Sequence, residues 1–207
     1  MSIAALKRYT VDEYLALERA SDVKHEFFDG EIFAMAGGSR PHNLISLNIA
    51  SELRAALEDS PCEVYPSDMR VKLPTGLYTY PDCSVVCADP QFDGKQQDVL
   101  LNPLLIVEVL SPSTEAYDRG TKFEHYGQLP SLREYVLVSQ DRINLEHYVR
   151  ADANSPWVLA RSGAADATTS FAAIDRTLTL AKIYAKVEVD RGALVAAPPR
   201  LDGTQPR

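Results

Sequence analysis

Positive charge is scarce in this chain: 21 lysines and arginines face 29 aspartates and glutamates, a net charge of −8. A protein that grips nucleic acid over its whole surface is normally basic, because phosphate neutralisation supplies much of the affinity. Any contact with nucleic acid must therefore be local, or helped by metal ions or a partner. No stretch approaches the ~18 apolar residues that a membrane span needs. The opening Met-Ser-Ile-Ala-Ala-Leu-Lys-Arg is too short, and too soon followed by charge, to read as a signal peptide. Cysteine is sparse as well: Cys62, Cys83 and Cys87. With no second Cys/His pair at zinc spacing, these read as buried thiols rather than metal ligands. Cys83 and Cys87 share one side of a predicted strand. An odd number without a secretory signal fits a reducing cytoplasm. There is no internal repeat and no low-complexity block.

What is present is an ordinary folding composition, 45% apolar and 24% charged over 207 residues. That length suits a single domain, expected over residues 1–190. The tail from about 191, with Pro198, Pro199, Gly203 and Pro206, reads as disordered. Thr10-Val-Asp-Glu13 has the form of a capping box and predicts a helix over about 11–19. Phe28-Asp-Gly-Glu31 marks a turn between strands near 24–28 and 31–36. Apolar residues from Leu44 to Leu57 recur at helical spacing and predict a helix over roughly 42–58. Strands are expected at about 62–65, 68–73 and 82–88, then a polar loop over 89–102. Residues 104–110 form a nearly continuous apolar run, the mark of a central strand covered on both faces. A helix from Ser111-Pro-Ser-Thr114 to about Gly127, a strand at 134–139, a hairpin over 142–149 and 156–161, a strand near 168–172 and a helix near 180–184 follow. The order implies an α/β fold with a mixed central sheet flanked by helices.

Three residues carry the chemistry. Asp82 follows a proline at a strand start, Glu108 closes the apolar run Leu-Leu-Ile-Val-Glu, and Lys122 lies on the next helix. A carboxylate in an apolar strand is costly to bury unless something pairs with it. Two such carboxylates followed by a lysine point to a divalent cation and to phosphodiester hydrolysis. Mg²⁺ prefers hard oxygen ligands and typically takes one or two carboxylates. If the strands of Asp82 and Glu108 are neighbours, both can converge on one point, with the Val109 carbonyl as a further ligand. Lys122 can then orient the attacking water or neutralise the transition state. The alternatives are plainer: a strand-end acid at Asp82, and a solvated i,i+4 pair of Asp118 with Lys122. Glu26 could join the site or be an exposed acid. His42 could cap a helix, sit in the core or line the groove. Asp68 could be a turn acid or support the site, and Tyr126 is expected in the core. Arg40, Arg70, Lys72, Lys95 and Arg119 are the candidate phosphate contacts.

Pro81-Asp82, Glu108-x-Leu110 and Lys122 resemble the PD-(D/E)xK, or restriction-endonuclease-like, nuclease superfamily. More narrowly, Val107-Glu-Val-Leu-Ser-Pro-Ser-Thr114, Asp118, Lys122, Tyr126 and Arg133-Glu-Tyr135 resemble the Uma-type restriction endonucleases. Tyr9-Thr-Val-Asp-Glu-Tyr14, Phe28-Asp-Gly-Glu-Ile32 and His42 agree, so the resemblance covers about residues 8–187. It implies a restriction-endonuclease-like core, Asp82 and Glu108 as ligands of Mg²⁺, which Mn²⁺ can replace, and Lys122 as the catalytic lysine. The superfamily lysine usually stands two residues after the glutamate. Here that position is Leu110, and Lys122 must replace it from the helix, as in the narrower family.

The leading expectation is a Mg²⁺-dependent endonuclease acting on nucleic acid, most of all DNA. The alternatives are a catalytically silent module that binds nucleic acid or protein, and a hydrolase of smaller phosphate esters. A homodimer is also expected, formed through the 142–161 hairpin with its Leu145, Tyr148, Val149, Trp157 and Leu159.

Overall fold

The computed structural model describes residues 7–189; the tail from about 191 lies outside the described residues. Helix α1 (Val11–Ala20) starts at the capping box: Glu13 N donates to Thr10 Oγ1, and Thr10 N donates to Glu13 Oε2 at 2.8 Å. Strands β1 (His25–Phe28) and β2 (Glu31–Ala34) form a hairpin. Asp29 and Gly30 both adopt positive φ there, 46° and 80°, the backbone that a two-residue turn of the primed type requires. Helix α2 (Arg40–Ala56) begins behind the Ser39 N-cap, with Pro41 in its first turn, and buries Ile45, Ile49 and Leu53 at four-residue spacing.

Strands β3 (Cys62–Pro66), β4 (Arg70–Lys72), β5 (Tyr78–Thr79), β6 (Cys83–Cys87), β7 (Val99–Leu100) and β8 (Leu105–Leu110) come next. Two short helices follow, α3 (Glu115–Arg119) and α4 (Thr121–Gly127). After them come β9 (Glu134–Ser139), β10 (Leu145–Val149), β11 (Val158–Ser162), β12 (Thr168–Phe171), β13 (Arg176–Thr179) and α5 (Leu180–Ile183). The main sheet has the order β11-β10-β9-β8-β6-β3. Only its β8–β9 pair is parallel, so the sheet is mixed. A parallel pair needs a crossover, and α3 and α4 supply it. A second sheet, β2-β1-β5-β4-β7, carries the hairpin, and β12 pairs with β13.

Every residue of β8 is buried, as its apolar run predicts. Leu105, Val107 and Val109 face the cluster built on Ile45, Ile49 and Leu53 of α2. Ile106 and Leu110 face the opposite cluster, with Tyr126, Leu129 and Tyr135. The two-residue period of a strand puts Glu108 on this second face, toward α4.

The structure departs from the sequence expectations in three places. The single helix expected to reach Gly127 is two, parted at Gly120, whose backbone (φ −109°, ψ −104°) leaves the helical region. The hairpin side chains expected at a dimer interface are used within the chain. Leu145 is fully buried, and the rings of Tyr148 and Trp157 pack 4.6 and 5.5 Å from Phe123. Only Val158, on the edge strand β11, stands out as a large exposed side chain of that hairpin. Finally, Cys62 lies opposite Cys87 in the β3–β6 register and forms a disulfide with it. The buried-thiol reading therefore holds for Cys83 alone. No helix among the described residues is long and apolar enough to cross a membrane.

Candidate active site

Strand β6 runs antiparallel beside β8, with Cys83 opposite Val107 and Ser84 opposite Ile106. One step further along the same register, Asp82 meets the end of β8, and its Oδ2 accepts a hydrogen bond from Val109 N at 2.7 Å. The His42 ring, in the first turn of α2, places Nε2 3.3 Å from the same oxygen. Burial disfavours charge on that imidazole. The hydrogen bond and charge of Asp82 outweigh it, helped by Asp118 and the Val109 backbone, and the His42 pKa is raised.

On the other side of Glu108, α4 delivers Lys122. Its Nζ lies 2.8 Å from Glu108 Oε1, 3.5 Å from Glu26 Oε1 and 3.6 Å from Asp118 Oδ1. Tyr126, one helical turn on, donates to Glu108 Oε1 at 2.7 Å. Glu26 enters from β1 and is held by the Thr79 hydroxyl. The Tyr117 hydroxyl lies 3.5 Å from its other oxygen. Tyr135 anchors α3 by donating to the Asp118 carbonyl at 2.9 Å. The ammonium is buried with three acidic side chains around it.

Burial pushes the Glu108 carboxyl up to about 8 even though Lys122 opposes it; the charges of Asp118 and Asp82 push the same way. Asp118 is raised for the same first reason, with Lys122 and Thr114 opposing. Burial alone would lower Lys122, but Glu108, Glu26 and Asp118 together hold it well above its usual range. At neutral pH the site thus keeps a proton on Glu108 and a positive charge on Lys122.

Of the residues singled out in the sequence, Glu26, Glu108 and Lys122 are brought together, and His42, Asp82 and Val109 meet at the adjoining point. Glu26 is not an exposed acid: its side chain keeps 13% exposure. The Asp118–Lys122 pair exists, but both residues are buried, so it is not a solvated helix pair. Asp68 is not at the site. It sits in the turn before β4 with its side chain 83% exposed and pairs with Lys24 at 2.7 Å. Tyr126 lies in the core, with its hydroxyl on Glu108. Thr79 and Tyr117 carry no signal in the sequence; Thr79 lies on a strand of two residues, too short for any period to show.

The candidate phosphate contacts are largely committed elsewhere. Arg70 is buried between the rings of Tyr14 and Tyr80, 5.5 and 5.3 Å from their centres, and its Nε donates to Tyr80. Lys72 pairs with Asp93 at 2.7 Å, and Arg119 with Glu115 and Glu146. Arg40 is exposed, 3.9 Å from Glu188, and Lys95 is exposed in the loop before β7. A cavity of about 860 Å³ beside Leu104, Arg133 and Glu134 includes none of the site residues.

A mixed sheet whose central strand carries a buried carboxylate, with an acid from the neighbouring strand and a lysine from the crossover helices, places this protein in the restriction-endonuclease-like α/β fold class. The chain belongs to the Uma2 family, described as "Putative restriction endonuclease", whose model matches residues 11–181. Two relatives from Synechocystis sp. strain PCC 6803, the uncharacterized proteins slr1290 and sll1609, are similar to it. The first is 41% identical over 79% of this chain and 85% of its own, the second 37% identical over 77% and 90%. Among solved structures, the crystal structure of a "putative nuclease belonging to DUF820" from Anabaena variabilis superposes with a TM-score of 0.69. It does so at 17% identity, over 86% of this chain and 99% of that one.

Proposed function

We propose that the protein is a Mg²⁺-dependent endonuclease that hydrolyses phosphodiester bonds of nucleic acid, with DNA as the substrate. The observation that carries this reading is the buried Lys122 ammonium, 2.8 Å from Glu108, supplied from a helix where the strand offers only Leu110. Family membership and the names borne by the relatives agree with it.

The donor set suits a hard cation. Asp82 Oδ1 and Glu108 Oε2 accept no hydrogen bond among the described residues, while the partner oxygens do. No three His, Cys, Asp or Glu side chains of the described residues form a ready cage. Mg²⁺ does not need one, since it usually keeps several waters and completes its shell with substrate phosphate. Asp82, Glu108 and the Val109 carbonyl would hold it, and Mn²⁺ would serve as well. When bound, the ion supplies charge stabilisation and a more acidic water. The remaining steps belong to the side chains. Lys122 orients the attacking water and stabilises the charge that grows on the phosphate oxygens. Tyr126 fixes the Glu108 carboxyl by its hydrogen bond. His42 holds Asp82 in place from the groove side. Glu26 and Asp118 keep Lys122 charged.

The test is incubation of plasmid, linear and single-stranded DNA with Mg²⁺ or Mn²⁺, beside an Asp82→Ala control. Cleavage is expected with metal, and none without metal or in the variant. Absence of cleavage on all three substrates, or cleavage that survives Asp82→Ala, would remove the proposal in favour of a silent binding module.

A further inference from the structure

Two of the large apolar side chains left exposed are aromatic, Phe28 and Phe33, and both belong to the β1–β2 hairpin. Directly paired residues of antiparallel strands share a face, with Cβ atoms about 4.5–5.5 Å apart. Phe33 pairs with Glu26, and Glu26 reaches Lys122. Phe33 therefore stands on the face that carries the acidic cluster, beside it. Its chain neighbour Ile32 and the paired Phe27 turn the other way, into the cluster with Tyr14 and Tyr78. Phe28 shares the face with Phe33, but its ring packs 4.8 Å from that of His125 on α4. Phe33 is left 48% exposed.

An apolar ring open to water next to a charged site needs a reason. Core packing does not give one, because the core lies on the opposite face. The basic side chains suggest what does. Arg70, Lys72 and Arg119 are buried or paired with acids, and the whole chain carries −8. A nucleic-acid strand held here gains little from phosphate contacts. Base stacking on an aromatic ring is the other common source of affinity for single strands, and it tolerates any sequence because every base has a π face.

We infer that Phe33 is the stacking platform for a nucleobase next to the scissile phosphodiester, and that the substrate is taken as single-stranded or locally unpaired nucleic acid. A base inside a duplex already has both faces covered and cannot use the ring. The inference rests on the nuclease reading for the position of the phosphodiester, but not for the stacking itself.

The experiment measures binding by fluorescence anisotropy with Ca²⁺ in place of Mg²⁺, so that no cleavage is needed. The probes are a labelled thymidine dodecamer, an abasic dodecamer of equal charge and a blunt duplex. The proteins are wild type, Phe33→Ala and Phe33→Trp, each checked for fold by circular dichroism. The thymidine strand should bind more tightly than the other two. Phe33→Ala should weaken it about 5- to 150-fold, the span of one stacked base, with no change for the abasic strand, and Phe33→Trp should restore it. Equal affinity for thymidine and abasic strands, tighter binding of the duplex, no binding of the thymidine strand, or an unchanged Phe33→Ala variant would each overturn the inference. If no DNA is cut in Mg²⁺ but Phe33→Ala still weakens binding, the nuclease reading fails and the platform stands. If DNA is cut and Phe33→Ala binds as wild type, the platform fails alone.

Discussion

Replacing Lys122 by methionine should convert a stabilising cluster into a pH-sensitive liability. The ammonium sits 2.8–3.6 Å from Glu108, Glu26 and Asp118, and Lys122, Glu108 and Asp118 are all buried. Methionine keeps the shape of the stem, so the loss is chiefly the charge. Removing one member of a buried ion pair costs about 3–5 kcal/mol, because the partner's charge is left uncompensated. For a chain of this size that corresponds to a fall of about 6–20 °C in Tm, at roughly 2–4 °C per kcal/mol. The penalty must depend on pH, and its sign is determined. Glu108 already has its folded pKa raised to about 8 from an ordinary 4.5, and Asp118 is raised as well. A carboxyl with a raised folded pKa binds more protons folded than unfolded. Stability falls as pH rises from the unfolded value through the folded one. Without Lys122 both carboxyls shift further in the same direction. The variant should therefore lie close to wild type at about pH 5 and far below it at about pH 9. Urea denaturation at both pH values measures this directly. An equal loss at both, or no loss at high pH, would refute the account of Lys122 as the counter-ion of the cluster.

Other consequences concern metal, geometry and redox state. A metal ion that uses Glu108 must displace its proton, so below about pH 8 the Mg²⁺ affinity should fall about tenfold per pH unit; thermal shifts or calorimetry that show flat affinity from about pH 6 to 8 would exclude Glu108 as a ligand. A Cβ at Gly38 would lie 2.6 Å from His42 Nδ1, so Gly38→Ala should push the ring off Asp82. Cleavage should drop on the order of 10- to 100-fold with little change in unfolding midpoint, as expected for misplacement near a reacting centre, and an unchanged rate would show that His42 has no positioning role. Protein isolated without reductant should expose one titratable thiol in denaturant, from Cys83, and three after reduction, since Cys62 and Cys87 are joined. Three thiols before reduction would show that the pair is open.

Much of the frame was legible in the chain. The Thr10–Glu13 box starts α1 because its two hydrogen bonds are local. The apolar run at 104–110 announces a strand buried on both faces, and β8 is that strand. The anomaly of Glu108 within it pointed to the site, since an acid there has no solvent to face. The sequence could also pair Asp118 with Lys122 from their spacing alone. It could not say that both are buried, because that depends on Tyr135, Tyr126 and the hairpin closing over them from far along the chain. Glu26 and Asp68 look alike as acids in short polar segments. Only the pairing of β1 with β5 brings the first to Lys122, while the second is left in an exposed turn. The same limit applies to Cys62 and Cys87, 25 residues apart, which meet through the register of β3 on β6, and to the ring cluster of Phe123, Tyr148 and Trp157, which fills the core where a free interface was expected. Local hydrogen bonding and hydrophobic period are written in consecutive residues, whereas burial and charge partnership depend on long-range pairing and are decided when the strands find their neighbours.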